Sequence, residues 1–239
     1  MSRWARHGAW LASALGAFTL TLLLVPSVFA GPDASEQRSS VKTAGKLTYY
    51  RNTRNYGTAN IMTSASGLPL GLQFWGFTDI HGNQGGEGAE FTRYLMEYRL
   101  SRPLPKKFVG IKGLGVQAEY NDFNGAGNSV SRFGVTFRHR TYGDRGWLQW
   151  RYFPVETDGD GGQASVIYFF PLTKRASIGG FADWNWSQAR KGRWVLEPQL
   201  TYRLYKRLAA VLELRHNDFE RVNPRIQGTG AALGLEASF

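Results

Sequence analysis

The chain has 239 residues, with 29 basic and 18 acidic side chains, a formal net charge of +11 at pH 7 and no cysteine. The lack of cysteine excludes a disulfide framework and cysteine-ligated zinc. The basic residues are scattered, without a run of five or six like charges, so the net charge does not indicate a nucleic-acid partner. The length fits a single domain.

The amino-terminal segment has the pattern of a secretory signal peptide. Arg3 and Arg6 provide a positive region, and an uncharged apolar stretch and a small-residue cleavage site follow. A transmembrane anchor is the alternative, but the apolar stretch is short for one and Pro26 favours processing. We therefore expect residues 1–30 to be removed on export and residues 31–42 to form a flexible polar leader.

The remainder of the chain, residues 43–239, consists of segments of about ten residues that alternate between apolar and polar side chains. Clusters of turn residues separate these segments. A period of two is typical of a β-strand whose two faces meet different environments. The twelve predicted strands cover residues 44–56, 60–66, 70–79, 91–100, 109–120, 130–140, 147–153, 163–170, 176–186, 194–205, 208–217 and 228–239.

The last segment, GTGAALGLEASF, alternates in the same way and ends the chain on Phe239. Leu233 and Leu235 lie on its apolar face, whereas Glu236 lies on the other. A lipid-facing final strand that ends on an aromatic residue is typical of bacterial outer-membrane barrels. We expect this strand to close the barrel against residues 44–56 and to be the segment that the barrel assembly machinery recognises.

These features together predict an all-β fold, a closed antiparallel transmembrane β-barrel of about twelve strands. A soluble β-sandwich or lipocalin-like barrel is the alternative. Two features argue against it. The first is the arginine or carboxylate on the polar face of most strands, together with aromatic residues near strand ends, as in interfacial girdles. The second is the predicted export of the chain. The predicted location is the outer membrane of a Gram-negative bacterium, in contact with the lipid bilayer and lipopolysaccharide.

If the apolar faces meet lipid, the polar faces line the interior. Mixed charge on that surface can form a salt-bridge network that seals the wall, or it can line a water-filled path that selects solutes. The candidate charged pore-lining residues are Arg93, Glu97, Arg99, Glu119, Arg138, Arg151, Asp183, Glu197, Arg203, Glu213 and Arg215, and Arg132 and Arg140 share the same face.

The third predicted strand differs because its inward face carries aromatic residues. On this face, Trp75 and Phe77 lie between Gln73 and Asp79. Stacking surfaces beside hydrogen-bonding groups are suited to a nucleobase or a sugar ring. The alternatives are that the two aromatic side chains pack on an inserted loop, or that a β-bulge exchanges the two faces of the strand.

Five stretches carry further motifs: NTRNYG at 52–57, FWGFTDIHG at 74–82, YLMEYRLS at 94–101, VIYFFPL at 166–172 and FADWNW at 181–186. Together they resemble the Tsx-like family of nucleoside-specific channel-forming outer-membrane proteins. The resemblance implies a twelve-stranded outer-membrane barrel that passes nucleosides through a narrow pore. It also implies that Tyr56, at the end of the first predicted strand, contacts the base.

The sequence does not indicate an enzyme, a cofactor or a metal site. His81 falls in a predicted loop, and His139 and His216 fall on the apolar face near strand ends. Histidine and carboxylate spacings match no metal motif, and no nucleophile-elbow motif is present. The leading hypothesis is therefore selective diffusion of small polar solutes such as nucleosides. The alternatives are a sealed structural or surface-recognition barrel and a lipid-modifying enzyme that uses His139 or His216.

Overall fold

The computed structural model describes residues 40–83, 90–124, 129–157, 161–187, 190–219 and 227–239. The predicted signal peptide and most of the leader lie outside these residues. Twelve strands account for nearly all of the described chain. They are β1 (Lys42–Asn52), β2 (Tyr56–Ser66), β3 (Gln73–Asn83), β4 (Glu90–Pro103), β5 (Leu114–Phe123), β6 (Ser129–Thr141), β7 (Gly146–Glu156), β8 (Gly161–Pro171), β9 (Ala176–Ser187), β10 (Arg190–Tyr205), β11 (Leu208–Asn217) and β12 (Gly228–Ser238).

The strands form one closed antiparallel barrel in which each strand pairs with its neighbours in sequence and β12 pairs with β1. The predicted fold class, strand number and closing pair are therefore confirmed. At the closing pair, Tyr49 lies opposite Leu235 and Thr48 lies opposite Glu236. Residues that lie directly opposite each other on paired strands point to the same side of the sheet. The pairing of neighbouring strands therefore shows which side chains of each strand face inward and which face outward.

The distribution of apolar side chains is the reverse of that in a soluble protein. Among the described residues, six hydrophobic side chains and eighteen polar or charged side chains are buried. Large apolar residues instead lie on the outside, as with Leu233 and Leu235 on β12, which are 65% and 57% exposed. An outward apolar surface around a polar interior is the pattern of a barrel that spans a membrane.

The two ends of the barrel differ in the chain segments that they carry. One end, here called the terminal end, carries the start of β1, the end of β12 and the connections 67–72, 104–113, 142–145, 172–175 and 206–207. The opposite end, here called the loop end, begins with the tight turn 53–55. In the described part of the chain, no helix has the length and apolar character needed to cross a membrane.

The boundary between β1 and β2 was predicted wrongly. Asn55 adopts a left-handed backbone (φ 64°) and the N–H of Asn55 donates to the carbonyl of Asn52 at 3.1 Å. Asparagine tolerates this conformation and forms such turns. The chain therefore reverses before Tyr56, which begins β2 instead of ending β1.

Two further boundaries also differ from the prediction. Residues 109–113 were assigned to the fifth strand, but a short helix α1 (Lys106–Val109) ends there, because Gly110 (φ 72°) adopts the left-handed conformation of a helix C-terminus. His81 was assigned to a loop, whereas β3 continues through Asn83 and places this side chain inside the barrel, where it is 5% exposed. Inside a membrane barrel, a strand can continue through polar residues. The apolar residues that mark a strand in the sequence of a soluble protein are then missing, so the end of β3 was placed too early.

The seam between the first and last strands ends in a reciprocal contact. Gly45 and Phe239 exchange two backbone hydrogen bonds of 3.0 Å each. The Phe239 ring lies over Gly45, and a Cβ atom on Gly45 would approach the ring to 2.2 Å. The missing side chain of Gly45 therefore provides the space that the final aromatic ring fills on the outer surface.

Candidate functional site

The strand register places the fifteen side chains predicted to line the pore on the inner face of the barrel. They come from nine strands, so the site is the lumen itself and not a single loop. By strand, they are Tyr56 on β2, Trp75, Phe77 and Asp79 on β3, Arg93, Glu97 and Arg99 on β4, Glu119 on β5, Arg138 on β6, Arg151 on β7, Asp183 on β9, Glu197 and Arg203 on β10, and Glu213 and Arg215 on β11.

Seven charged residues on β4 to β9 form what is here called the central ion network: Glu97, Arg99, Glu119, Arg132, Arg151, Glu156 and Asp183. Its origin is visible in the register, since Arg99, Glu119 and Arg132 lie directly opposite one another on three adjacent strands. Opposed residues of opposite charge stabilise neighbouring strands.

Glu119 and Arg151 are the centre of this network. The carboxylate of Glu119 accepts from Arg99 Nε at 3.2 Å, Arg132 Nη1 at 3.1 Å and Arg151 Nη1 at 3.0 Å. The Arg151 side chain has no exposed surface and also reaches Asp183 Oδ1 at 3.2 Å. Charge-assisted contacts of this kind restrain both the side chains and the strands that carry them.

The network thus includes five of the predicted pore-lining residues: Glu97, Arg99, Glu119, Arg151 and Asp183. Arg151 Nη1 lies 3.9 Å from Glu97 Oε1, and these two residues are three strands apart. Such contacts reach past the intervening strands along the curved inner wall. The contacts of these five residues link neighbouring strands along the wall.

A second group of side chains lies on the opposite part of the wall, nearer the loop end. Arg215 donates to Glu213 Oε1 at 2.6 Å and to Thr58 Oγ1 at 3.3 Å. Thr58 in turn lies 2.9 Å from His81 Nδ1. The Arg215–Thr58 contact links β11 to β2 across the two seam strands. Tyr50 of β1 also contacts Arg215, whose guanidinium carbon lies 4.6 Å from the centre of the tyrosine ring.

Tyr56, the residue implied by the family resemblance to contact a base, is enclosed by this group. Its exposed fraction is 3%. Its hydroxyl accepts from Arg54 Nη2 at 2.9 Å, and its ring meets that of His81 edge to face at 5.6 Å. The Arg54 side chain lies in the turn before β2, where burial lowers its pKa from the ordinary value and the neighbouring Tyr56 opposes this shift. Tyr56 therefore presents no open face for stacking.

The aromatic residues of β3 are more accessible. Trp75 and Phe77 meet edge to face at 5.5 Å and are half-buried on the lumen side. The guanidinium carbon of Arg99 lies 4.2 Å from the centre of the Trp75 ring. This cation–π contact connects the aromatic pair to the central ion network and covers one part of the tryptophan.

Other predicted residues have fewer partners. Within the described residues, Arg93, Arg138 and Arg203 form no ion pair. Nε and Nη1 of the buried Arg93 have no hydrogen-bond partner in the described part of the chain. Arg138 stacks on Trp147, with 4.0 Å between its guanidinium carbon and the ring centre. Asp79 is satisfied by the Asn60 side-chain amide at 2.7 Å, and Glu197 lies close enough to Glu213 to interact electrostatically.

A cavity of about 350 Å³ lies at the terminal end of the barrel, and five of its twelve lining residues are cationic. These five come from two strands and two turns, and one carboxylate from a third strand lies among them. We call this set the basic mouth; it consists of Lys46, Arg175, Arg203, Lys206, Arg207 and Glu236.

Sequence reasoning identified Arg203 and Glu236 but missed the other members of the basic mouth. Lys46 lies on the first predicted strand, for which no inward face was assigned, and Arg175, Lys206 and Arg207 lie in turns, where a charged side chain is ordinarily taken to be solvated. The signal that could have found them is the concentration of basic residues in the terminal-end turns.

The outward histidines lie at opposite ends of the barrel. At the loop end, His216 contacts Thr229 Oγ1 at 2.8 Å through Nδ1 and Asp218 Oδ1 at 3.0 Å through Nε2. Asp218 also accepts the backbone N–H of Trp194 at 3.0 Å. These contacts fasten the segment after β11 to its neighbouring strands. His139 stacks on the Phe137 ring near the terminal end. Among the described residues, no three histidine or acidic side chains group as metal ligands would.

Comparison with other proteins supplies a fold but no family. No protein-family model matches the chain, and no curated protein matches it. Among solved structures, it is similar to the KdgM porin, with a TM-score of 0.54 and 13% sequence identity over 82% of this chain and 99% of that one. A structure described as KdgM porin in complex with disordered oligogalacturonate has a TM-score of 0.53 with the same identity and coverage. At this identity, the similarity shows that the chain has the β-barrel fold of an outer-membrane porin.

Proposed function

We propose that the chain forms an outer-membrane channel through which small polar solutes diffuse passively. The observation that carries this proposal is the closed barrel with an apolar outer surface and an inner wall of charged and aromatic side chains. Such an arrangement supports passage only if the lumen contains water, and its lining then selects among solutes. Similarity to the KdgM barrel supports the same function. The partners in this proposal are lipid and lipopolysaccharide outside, the solute inside, and the barrel assembly machinery through β12.

The proposed solutes carry a planar or sugar ring, as nucleosides do. Trp75 and Phe77 support this choice because they lie half-buried on the lumen side, beside the hydrogen-bonding group Gln73. The resemblance to Tsx-like channels points to the same class. The oligogalacturonate named for the KdgM complex is also built of rings with many hydroxyl groups, so a galacturonate oligomer is the appropriate comparison ligand.

Purified protein in a planar lipid bilayer is expected to give discrete conductance steps that uridine reduces. The Trp75→Ala substitution should raise the uridine concentration that halves the conductance by roughly 5- to 150-fold, because an aromatic–base contact contributes about 1–3 kcal/mol. Phe74→Ala is the matched control, since Phe74 is the adjacent aromatic residue and faces outward beside Tyr98. Equal effects of the two substitutions would contradict a stacking role for Trp75.

A sealed barrel is the second candidate function, and the central ion network favours it. In that case the charged wall only stiffens the barrel, and the loops carry out surface recognition. This function predicts no conductance under conditions in which the protein is folded and inserted. A porin with the same strand number measured in parallel controls for insertion, so that a silent bilayer separates the two functions.

A further inference from the structure

The basic mouth has more positive charge than its own contacts neutralise. Its single carboxylate, Glu236, is paired with Lys46 Nζ at 3.0 Å. The guanidinium groups of Arg175, Arg203 and Arg207 form no ion pair within the described residues, although all three line the same cavity. These three guanidinium groups and the ammonium group of Lys206 thus line a cavity of about 350 Å³ without a counter-charge among the described residues.

The backbone fixes the relative positions of these groups. The N–H of Arg203 donates to the carbonyl of Arg175 at 2.8 Å, so the strand β10 and the turn 172–175 are held side by side. The carbonyl of Arg207 likewise accepts the N–H of Ser238 at 2.9 Å, which joins the turn 206–207 to the end of β12. The arginine side chains therefore start from a rigid rim and need no loop rearrangement to meet around the cavity.

The surrounding surface adds to the same charge. The five connections at the terminal end contain eight basic residues and one acidic residue, Asp144. The basic ones are Lys106, Lys107, Lys112, Arg145, Lys174, Arg175, Lys206 and Arg207. Charge of one sign around a low-dielectric opening raises the local concentration of ions of the opposite sign. Anions would thus be concentrated at this end of the lumen.

We infer that the basic mouth binds an anionic group, a phosphate or a carboxylate, carried by the solute that passes through the barrel. Guanidinium groups suit this role because their planar set of N–H donors matches carboxylate and phosphate oxygens. The lining also includes hydroxyl groups of Ser177 and Thr201 on the lumen side, which can donate to the same oxygens. The inference deepens the proposed channel function and rests on it for passage, whereas binding of the anion can be measured separately.

Anionic lipid headgroups have the same chemistry and are the other possible source of the ligand. The orientation of Arg203 favours a solute, because its register partner Ala209 is buried on the inner face while the adjacent Leu204 faces outward. A headgroup at the outer surface would meet the turns but not this inner-wall side chain.

The test compares uridine with uridine monophosphate as blockers of single-channel conductance. The two probes differ only by the phosphate, and the bilayer is zwitterionic phosphatidylcholine. In about 0.1 M salt, charges farther than about 10 Å are largely screened. The wild-type protein should be blocked by the monophosphate at about tenfold lower concentration, since partly exposed ion pairs contribute up to about 1 kcal/mol each. The triple variant Arg175→Gln/Arg203→Gln/Arg207→Gln should lose this difference.

A charge-matched control uses the same end of the barrel. The triple variant Lys112→Gln/Arg145→Gln/Lys174→Gln removes three positive charges from exposed turn residues that do not line the cavity. It should keep most of the preference for the monophosphate, because charges outside the cavity act on the probe only through a field that salt screens. Equal blocking by the two probes in wild type, or loss of the preference in this control as well, would overturn the inference. Loss of the preference when phosphatidylglycerol is added to the bilayer would overturn the assignment to a solute.

Failure of the channel function can be recognised separately. A protein that gives no conductance would overturn the proposed function, and equilibrium dialysis of uridine monophosphate with the detergent-solubilised full-length protein would then test the inference. Tighter binding by wild type and by the control variant than by the arginine variant would support the basic mouth. Equal binding by all three would overturn it.

Discussion

Replacing Arg151 by methionine is expected to lower the free energy of unfolding of the barrel by about 3–5 kcal/mol. This is the cost of removing one partner of a buried ion pair, because the remaining charge stays buried without compensation. The substitution removes contacts to Glu119 at 3.0 Å and to Asp183 at 3.2 Å, and the side chain that it replaces has no exposed surface. Glu119 retains two other arginines, whereas Asp183 loses its only guanidinium partner in the described structure. Denaturant unfolding in detergent micelles measures the change.

Two further variants identify the cause. Adding Asp183→Asn to Arg151→Met should recover part of the lost stability, because it removes the carboxylate that has lost its arginine. Arg138→Met is the matched control: it removes an inward arginine that stacks on Trp147 but forms no ion pair among the described residues. A loss at Arg138 as large as that at Arg151 would show that the ion contacts are not the reason.

Deletion of Phe239 is expected to remove most of the folded protein from the outer membrane. The deletion eliminates the two 3.0 Å backbone hydrogen bonds to Gly45 and the ring that lies over this glycine. The two hydrogen bonds alone contribute about 1–3 kcal/mol, and they hold the residue that directly follows β12, the strand that closes the sheet. The amount of heat-modifiable, membrane-inserted barrel in cells measures the effect.

Substitutions at the two seam positions separate the backbone contribution from that of the ring. Phe239→Leu keeps the backbone pair and an apolar side chain, so its effect should be much smaller than that of the deletion. Gly45→Val should displace the ring, because its Cβ would lie 2.2 Å from it, but should keep the backbone pair, so its effect should also be smaller than that of the deletion. Normal assembly of the deletion variant would contradict the importance of this contact.

The facing of side chains could be predicted from sequence because strand periodicity is local. Once a strand contains alternating residues such as Leu212, Glu213 and Leu214, the two environments on either side of the wall fix which of them point inward. Twelve strands and the closing pair followed from the same pattern. The errors occurred where turn conformation decided the outcome, as at Asn55 before Tyr56 and at Gly110 after α1.

The side-chain contacts inside the lumen could not be predicted in this way. Whether Arg151 reaches Glu97, or Arg215 reaches Thr58, depends on barrel curvature and on the stagger between strands, to which distant parts of the sequence contribute equally. The enclosure of Tyr56 has the same origin, since His81 belongs to the next strand and Arg54 to the turn. The basic mouth could not be predicted because Lys46 belongs to the first strand, whereas its other members belong to β10, β12 and two turns much later in the chain.

β1 begins and β12 ends at one rim of the barrel, where Gly45 and Phe239 are already hydrogen-bonded to each other. A closed sheet has no inherent first strand, so a short linker could join the ends and new termini could be opened in the turn 142–145. Such a circular permutant would keep every pairing of the sheet while moving the terminal aromatic into the interior of the sequence. Its assembly would show whether the assembly machinery recognises the terminal residue of a chain or the unpaired edge strand of a barrel that has not yet closed.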